Sequence, residues 1–566
     1  MIKKRIKALV DKFNEYKIDG YVIPKNDEFF SEYSEKNRLK IISNFTGSAG
    51  YSIILKNKNY LFVDGRYTIQ AGKESGNFFK IVDYRRIVNC NLFKGLTLGL
   101  DPKLFTSEQI TKFFKKYNYI KPIKINLIDQ IYRSKSNLTK PFFSLKDKVV
   151  GENYKKKIFK LKKYLDKNKS DFIFISAPEN IAWLLNIRGS DNPNSPIPNC
   201  YLLLDKKKNI YLVSKKQKTS KLIKENRISS KQIIEPKNFE KFIENLKGKR
   251  IIIDNKTCSI FNENILKNKF KVLKKDDPIY LLKSVKNNIE IKNMIDTHII
   301  DGVALTKFLY WMKIKNKKRI TEYDAQKKLE YFRKKNKNYL FPSFDTIAGS
   351  GGNGAIVHYR ATKKNNKRID KKDIFLCDSG GQYKYGTTDV TRTICFSKPK
   401  SKIKNIFTRV LKGHIAVLET DLDKLSTGNL IDLRARKFLK KINLDYEHGT
   451  GHGVGFFSNV HEGPQAISKF NKIKIIEGMI LSNEPGYYKK NKFGIRIENL
   501  LYVKKIQKKL SFKNLTMAPI DKDLIDYNML TKDEKTYLFK YNLDIYSKLS
   551  KYLNLKEKKW LASLIY

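Results

Sequence analysis

Acidic side chains with the spacing of a metal site lie in the segment DSGGQYKYGTTDVTRT, residues 378–393. Asp378 ends an apolar, strand-like run, and Asp389 begins a second β-rich run eleven residues later. A hairpin through the intervening glycines would bring both carboxylates to one point, where they ionise together only beside a cation. A metal ion is the natural partner, although aspartate is also common in ordinary glycine-rich turns.

Three histidines follow within 14 residues. The segment HGTGHGVG holds His448 and His452, and NVHEGP holds His461. Glycine lets the backbone approach closely, and neutral imidazole is the commonest metal ligand. A single histidine is more often structural, but three in such a setting are hard to explain as core packing. The pattern therefore favours a metal-binding or catalytic role.

Two glutamates complete the set of candidate metal ligands. Glu484 lies in SNEPGYY and Glu498 in GIRIEN, each in or beside an apolar run. An unpaired carboxylate buried in a strand is unfavourable, so a cation is expected nearby. The alternative for Glu498 is an exposed edge position or a pair with Arg496. Two aspartates, two glutamates and one or more histidines suit two divalent ions such as Mn, Co or Zn.

The elements before residue 280 repeat one order. A first helix, a strand at 20–24 and a strand–turn–strand pattern over 51–64 are followed by a helical segment from Tyr67. The same order returns with an amphipathic stretch at 153–167, a strand at 172–176 and a strand–turn–strand pattern over 199–213. This predicts two copies of one α/β domain, about 1–145 and 146–280. Two unrelated α/β segments are the alternative.

A third region begins near residue 281 with a long helical pattern over 287–317. Strands rich in Gly, His and acidic residues follow from Phe341 and carry the chemistry to about residue 508. The last stretch, 509–566, is expected to be a helical extension without recognisable chemistry.

The chain has 566 residues and a net charge of +60, from 116 Lys+Arg against 56 Asp+Glu. Such a charge alone would favour nucleic acid. However, the lysines are scattered through every segment and greatly outnumber arginine, the residue that base-reading interfaces prefer. We therefore expect a general lysine-rich composition on solvated faces and no nucleic-acid partner, with a specific polyanion as the alternative.

The cysteines and the apolar runs indicate the compartment. The five cysteines form no CxxC pair and are expected to be free thiols. No apolar run reaches the roughly 18 residues of a membrane span. The N-terminal segment is amphipathic, unlike a signal peptide. These features predict a cytoplasmic protein without a membrane partner.

The motifs DSG–x8–D, HGTGHGVG, VHEGP, EPGYY and GIRIEN together resemble the metallopeptidase family that includes aminopeptidase P, prolidase, methionine aminopeptidase and creatinase. The segments SEY, FTGSAG, DGRY, IAWLLNIRGSD, LKGHIAV and MAPID are similar to the long, three-domain cytosolic aminopeptidase P type. The resemblance covers nearly the whole chain. It implies an α/β (α+β) fold with two creatinase-like N-terminal domains (1–145 and 146–280), a pita-bread catalytic domain (281–508) and a helical C-terminal extension (509–566).

The resemblance also implies roles for individual residues. It makes Asp389 and Glu498 bridging ligands of two metal ions, most consistent with Mn and with Co or Zn as alternatives. The full ligand set that it implies is Asp378, Asp389, His452, Glu484 and Glu498. The substrate contacts that it implies are His358, His448, His461, Tyr488, Arg496 and, from the first domain, Arg66. His358, His461 and Glu484 are the expected catalytic residues.

The implied reaction is hydrolysis of the bond between an N-terminal residue and a following proline. A metal-bridging hydroxide would attack the carbonyl, with Glu484 as general base and His461 donating to the oxyanion. The proline nitrogen has no N–H, so selection must rely on an apolar pocket and on the substrate's free amine. A homodimer is implied by analogy alone.

Two other functions remain open. A prolidase, which cuts only X-Pro dipeptides, would share the metal set. A non-catalytic pita-bread protein that binds nucleic acid or histones would suit the positive charge. The complete ligand set favours an enzyme.

Overall fold

The computed structural model describes residues 2–34, 36–65, 67–84, 93–114, 119–132, 140–314 and 320–565. The chain divides into two compact units, Met1–Ile279 and Tyr280–Tyr566. Every described residue of the predicted chemistry lies in the second unit. The predicted domain boundaries at 145 and 508 stay predictions.

The first unit alternates helices and strands. Its helices are α1 (Ile2–Val10), α2 (Arg38–Ser43), α3 (Thr68–Ser75), α4 (Ser107–Phe113), α5 (Leu127–Ile131), α6 (Asp147–Val150), α7 (Tyr154–Lys167), α8 (Pro178–Leu184), α9 (Lys216–Lys224), α10 (Phe239–Glu244) and α11 (Ile260–Lys267). Its strands are β1 (Gly20–Pro24), β2 (Tyr51–Leu55), β3 (Asn59–Val63), β4 (Lys80–Asp83), β5 (Thr97–Leu100), β6 (Tyr119–Pro122), β7 (Phe143–Ser144), β8 (Phe172–Ile175), β9 (Ile187–Arg188), β10 (Tyr201–Asp205), β11 (Ile210–Val213), β12 (Ile233–Ile234), β13 (Arg250–Ile253) and β14 (Lys271–Lys274).

Two sheets of this unit have the same topology. Within the described residues, the strand orders are β4-β3-β2-β1-β5-β6 and β12-β11-β10-β8-β13-β14. The strand directions also correspond: the hairpin strands pair antiparallel, and the outer strands on both sides pair parallel. This agreement supports duplication of one α/β module over two unrelated segments.

Apolar side chains cover both faces of the first sheet. Tyr21 and Ile23 of β1 belong to one core cluster, whereas Val22 between them belongs to another. Because successive strand residues point to opposite faces, the uninterrupted apolar sequence GYVIP fits a strand that is buried on both sides.

The second unit begins with helices and continues with short strands. Its helices are α12 (Ile279–Ser284), α13 (Asn288–Ile314), α14 (Glu322–Lys334), α15 (Ser401–Leu418), α16 (Gly428–Lys440), α17 (Lys532–Leu549) and α18 (Leu555–Ala562). Its strands are β15 (Tyr339–Pro342), β16 (Ile347–Ser350), β17 (Phe375–Ser379), β18 (Gly381–Tyr383), β19 (Gly386–Thr387), β20 (Val390–Ile394), β21 (Gly451–Gly453), β22 (Glu462–Ile467), β23 (Ile480–Asn483), β24 (Gly486–Lys489), β25 (Phe493–Arg496), β26 (Asn499–Ile506) and β27 (Lys509–Asn514).

Antiparallel pairing dominates this unit. One sheet has the order β16-β17-β20, and a larger one has the order β22-β21-β23-β26-β27 among the described residues. Ile495 and Ile497 pack into the core formed by α15 and α17. The alternation of side chains along an extended chain therefore directs Arg496 and Glu498 away from that core.

The C-terminal stretch differs from its prediction at its start. Residues 509–514 form β27, which pairs with β26, and α-helical structure begins only at Lys532. Cys200, Cys258, Cys377 and Cys395 are free and buried, as predicted, whereas Cys90 lies outside the described residues. Among the described residues, no helix combines the length and apolarity that crossing a membrane requires.

Candidate metal centre

The two aspartates meet through the predicted hairpin. Asp378 is in β17, directly opposite Thr391 of β20, and Asp389 immediately precedes β20. The small hairpin of β18 and β19 occupies the connection between them. A Cβ atom on Gly380 would lie 2.0 Å from the Thr388 carbonyl oxygen, so the close approach of these strands requires glycine.

The remaining predicted ligands come from the larger sheet and its edge. His452 is the central residue of β21, Glu484 directly follows β23, and Glu498 lies between β25 and β26. His452 Nε2 lies 3.5 Å from Asp389 Oδ2 and 3.5 Å from Glu484 Oε1. The imidazole therefore lies between Asp389 of the hairpin and Glu484.

All five predicted ligands converge on one cluster. Their donor atoms form overlapping groups whose members lie within 4.8 Å of one another: Asp378 with Asp389 and Glu498, His452 with Glu484 and Glu498, and Asp389 with His452 and His461. Asp389, His452 and Glu498 each belong to two groups, so these three residues link the groups into one cluster. The ring of His461 is exposed and lies 4.3 Å from the ring of His452.

The cluster concentrates negative charge in a buried place. Burial raises the pKa of Asp378 to about 7, against the opposing effect of Arg496. Burial also raises the pKa of Glu484 and of Glu498, and the neighbouring carboxylates raise that of Glu498 further. His452 is the basic group beside these carboxylates. Burial lowers its pKa, but a hydrogen bond to Asp389 and the charge of Glu484 outweigh burial and raise the pKa to about 9.

These observations fit bound divalent cations. Asp378 Oδ1 is buried and has no hydrogen-bond partner, which is costly for a carboxylate oxygen unless a cation or water contacts it. The donors are carboxylate oxygens and one imidazole nitrogen, a set that suits Mn, Co or Zn. The residues present therefore fit two ions that share bridging carboxylates.

A chain of hydrogen bonds extends from the cluster to the predicted pocket residues. Arg496 donates to Asp378 Oδ2 at 2.5 Å and to Tyr488 Oη at 2.6 Å. Tyr488 Oη lies 2.8 Å from His448 Nε2, and His448 Nδ1 lies 2.8 Å from the Gly449 carbonyl. Because a carbonyl only accepts, Nδ1 carries a proton, and in the neutral imidazole Nε2 then accepts from Tyr488 Oη.

Sequence reasoning missed two residues that position the predicted ligand Glu498. Thr391 Oγ1 donates to Glu498 Oε2 at 2.7 Å, and Arg392 donates to the Glu498 carbonyl at 2.7 Å. For Thr391 a signal existed: it lies two residues after Asp389, on the same face of an extended strand. For Arg392, nothing local indicated a buried guanidinium.

His358 and Arg66 are the two remaining predicted substrate contacts. His358 is half-buried and follows the short helical turn Gly351–Ala355. That turn packs against β25, since a Cβ atom on Gly494 would lie 1.8 Å from the Gly354 carbonyl oxygen. Arg66 lies outside the described residues, so its predicted role stays a prediction.

Known families match along the chain. A model of metallopeptidase family M24 matches residues 292–505, the creatinase/prolidase N-terminal domain matches residues 5–128 and 133–290, and the C-terminal region of peptidase M24 matches residues 508–564. A probable Xaa-Pro aminopeptidase P from Pyrenophora teres f. teres is 35% identical over 97% of this chain and 90% of its own length. Xaa-Pro aminopeptidase 1 from Dictyostelium discoideum is 35% identical over 100% of this chain and 96% of its own length. The chain belongs to the Xaa-Pro aminopeptidase group of metallopeptidase family M24.

A solved structure agrees over the full length. The X-prolyl aminopeptidase from Caenorhabditis elegans, a cytosolic enzyme with a di-nuclear active site, has a TM-score of 0.91 and 28% identity, covering 100% of both chains. The prolidase from Pyrococcus furiosus, also 28% identical, covers only 63% of this chain with a TM-score of 0.50. The predicted family, fold class and enzyme class are confirmed.

Proposed function

We propose that this chain is a metal-dependent Xaa-Pro aminopeptidase that hydrolyses the bond between an N-terminal residue and a following proline. The observation that carries the proposal is the convergence of five predicted ligands on one buried cluster. Relatives that share its full length bear the same activity in their names.

In this proposal, Asp378, Asp389, His452, Glu484 and Glu498 hold two divalent ions. When bound, such ions supply an activated water and polarise the substrate carbonyl. We further propose Mn as the native metal, a cytoplasmic location and a homodimer.

The protein's own groups orient substrate and move protons. Glu484 accepts a hydrogen bond from Ser482 Oγ at 3.1 Å, which fixes its carboxylate beside His452, where it can take a proton from the attacking water. The exposed imidazole of His461, beside His452, can donate to the oxygen on which negative charge develops.

The chain of hydrogen bonds through Arg496, Tyr488 and His448 fixes these side chains relative to the ligand cluster. Arg496 is buried and donates to both Asp378 and Tyr488, so a shift of either partner would be transmitted to the other. His448 Nε2 lies within hydrogen-bond distance of Tyr488 Oη, so the network fixes the position of this imidazole.

A substrate series tests the proposal. The full chain is freed of metal with a chelator, reloaded with Mn, and assayed on X-Pro-X tripeptides, longer X-Pro peptides, X-Pro dipeptides and matched X-Ala-X tripeptides. We expect release of only the first residue from the X-Pro-X and longer X-Pro peptides, little cleavage of X-Ala-X, and weaker cleavage of long substrates by Arg66→Ala.

Other outcomes identify the alternatives. Cleavage of X-Pro dipeptides with refusal of tripeptides would make the chain a prolidase. A protein that binds Mn but cleaves no peptide with Mn, Co or Zn would be a non-catalytic member of the family.

A further inference from the structure

One buried carboxylate fastens the segment that carries His358. Glu322, the first residue of α14, is 0% exposed. Its two oxygens accept five hydrogen bonds from four donors, all in residues 350–367. The donors are Ser350 N (2.8 Å), Asn353 Nδ2 (3.0 Å to each oxygen), Tyr359 Oη (2.8 Å) and Lys367 N (3.0 Å).

These donors are neutral N–H and O–H groups. A buried carboxylate needs such donors, and hydrogen bonds to a charged group are stronger than those between neutral groups. The donors come from both ends of the segment, and the Glu322 backbone N–H also donates to the Lys367 carbonyl at 3.0 Å. Apart from the turn Gly351–Ala355, the segment from 351 to 367 contains no helix or strand, so this carboxylate is a main determinant of its conformation.

Tyr359 connects this anchor to His358. It is the next residue in the chain, its ring is buried, and its hydroxyl also receives a hydrogen bond from Asn353. Burial and then the charge of Glu322 raise the pKa of Tyr359 well above its usual range, so the hydroxyl keeps its proton and remains a donor. Fixing Tyr359 fixes the backbone from which the His358 side chain projects.

The same segment also contacts β25. Gly354 is in close contact with Gly494 of β25, the strand that ends at Arg496. The segment is thus held between α14 and β25. A change at its α14 anchor would move His358 relative to the strand that supports the ligand cluster.

We propose that Glu322 is a positioning residue, which acts through Tyr359 to hold His358 in its productive place. This inference rests on the substrate contact proposed for His358. Glu322 itself does not touch substrate or metal in this scheme.

The test uses Mn-loaded full-length protein and an X-Pro-X substrate. Tyr359→Phe removes one hydroxyl without changing the ring, and we expect kcat/KM to fall about 10- to 100-fold, since small misplacements of a substrate-contacting group have effects of this size. Metal content should be unchanged. In a His358→Ala background, Tyr359→Phe should cause no further loss beyond about 3-fold, because both substitutions remove the same function.

A matched control exists on the same helix. Tyr339 Oη donates to Glu330 Oε2 at 2.6 Å, the same kind of bond to another glutamate of α14. Tyr339→Phe should leave kcat/KM within about 3-fold of the parent protein. Equal losses in the two variants would mean that Tyr359→Phe acts through general destabilisation and would overturn the inference.

Hydrogen exchange separates this inference from the proposed function. Tyr359→Phe and Glu322→Gln should speed exchange of the amides between 350 and 367 while the β17 amides keep their protection. Unchanged exchange in this segment, or fully multiplicative losses in the double variant, overturns the inference alone. If His358→Ala has no effect on the rate, the proposed role of His358 fails instead, whatever the exchange result.

Discussion

Removal of the metal ions should make the stability of the second unit fall as the pH rises. In the metal-free fold, the pKa of Asp378 is about 7 instead of 3.8. Between these values the folded state binds more protons than the unfolded state, so the free energy of unfolding decreases with increasing pH. Glu484 and Glu498, whose pKa values are also raised, act in the same direction.

His452 also makes the free energy of unfolding decrease as the pH rises, but for a different reason. Its pKa is raised from 6.5 to about 9, so its favourable interaction is complete below pH 6.5 and is lost as the pH approaches 9. A pKa difference of one unit corresponds to about 1.4 kcal/mol. For Asp378 alone, the free energy of unfolding of the metal-free protein therefore falls by about 3 kcal/mol between pH 5 and pH 8. For a unit of this size, that loss lowers the melting temperature by about 6 °C.

Scanning calorimetry of chelator-treated and Mn-loaded protein from pH 5 to pH 8 measures this effect. The metal-bound protein should show the opposite trend, because metal binding requires deprotonated ligands and strengthens as the pH rises. Glu498→Gln is the matched variant: metal-free, it should be more stable than the parent protein at pH 8, and with Mn it should be less stable. A metal-free melting temperature that stays constant or rises between pH 5 and pH 8 would refute the reasoning.

Three further substitutions test individual residues of the second unit. Asp389→Ala should lose most of the bound metal by elemental analysis, since it removes a ligand from both ions; full occupancy with full activity would exclude the assignment. His461→Ala should keep its metal but lose about 10²–10³ in kcat, the usual effect of removing one oxyanion donor, and an unchanged rate would make this residue structural. Glu462 holds the buried ammonium groups of Lys283 and Lys286. Glu462→Gln should therefore lower the free energy of unfolding by about 3–5 kcal/mol in denaturant titrations, whereas a change below about 1 kcal/mol would show that the lysines find other partners.

Local patterns were sufficient for many elements of the fold. The strand predicted at 20–24 is β1, and the helix predicted over 287–317 is α13, residues 288–314. Both have a local signal, an apolar β-rich run or a sustained helical period. Residues 509–514 were wrongly taken as helical because the strand there is specified by pairing with β26, which a local pattern does not reveal.

The residues of the site also divide into those with a local sequence signal and those specified by remote partners. The predicted ligands stand in short, recognisable motifs, and the structure brings them together. The supporting residues were missed because their partners are remote: Thr391 and Glu498 are 107 positions apart, and Glu322 and Tyr359 are 37 positions apart. Nothing near Glu322 in the sequence distinguishes it from a solvated glutamate at the start of a helix.

The ligands of the metal centre come from separate stretches between Asp378 and Glu498. Bound ions would therefore act as non-covalent cross-links that close long loops and reduce the conformational entropy of the unfolded chain. An incompletely folded chain has no complete set of ligands, and during synthesis the set is incomplete until Glu498 has emerged from the ribosome. In this scheme metal uptake would require the region from Asp378 to Glu498 to be folded, and ions present at that moment would stabilise the folded state by mass action.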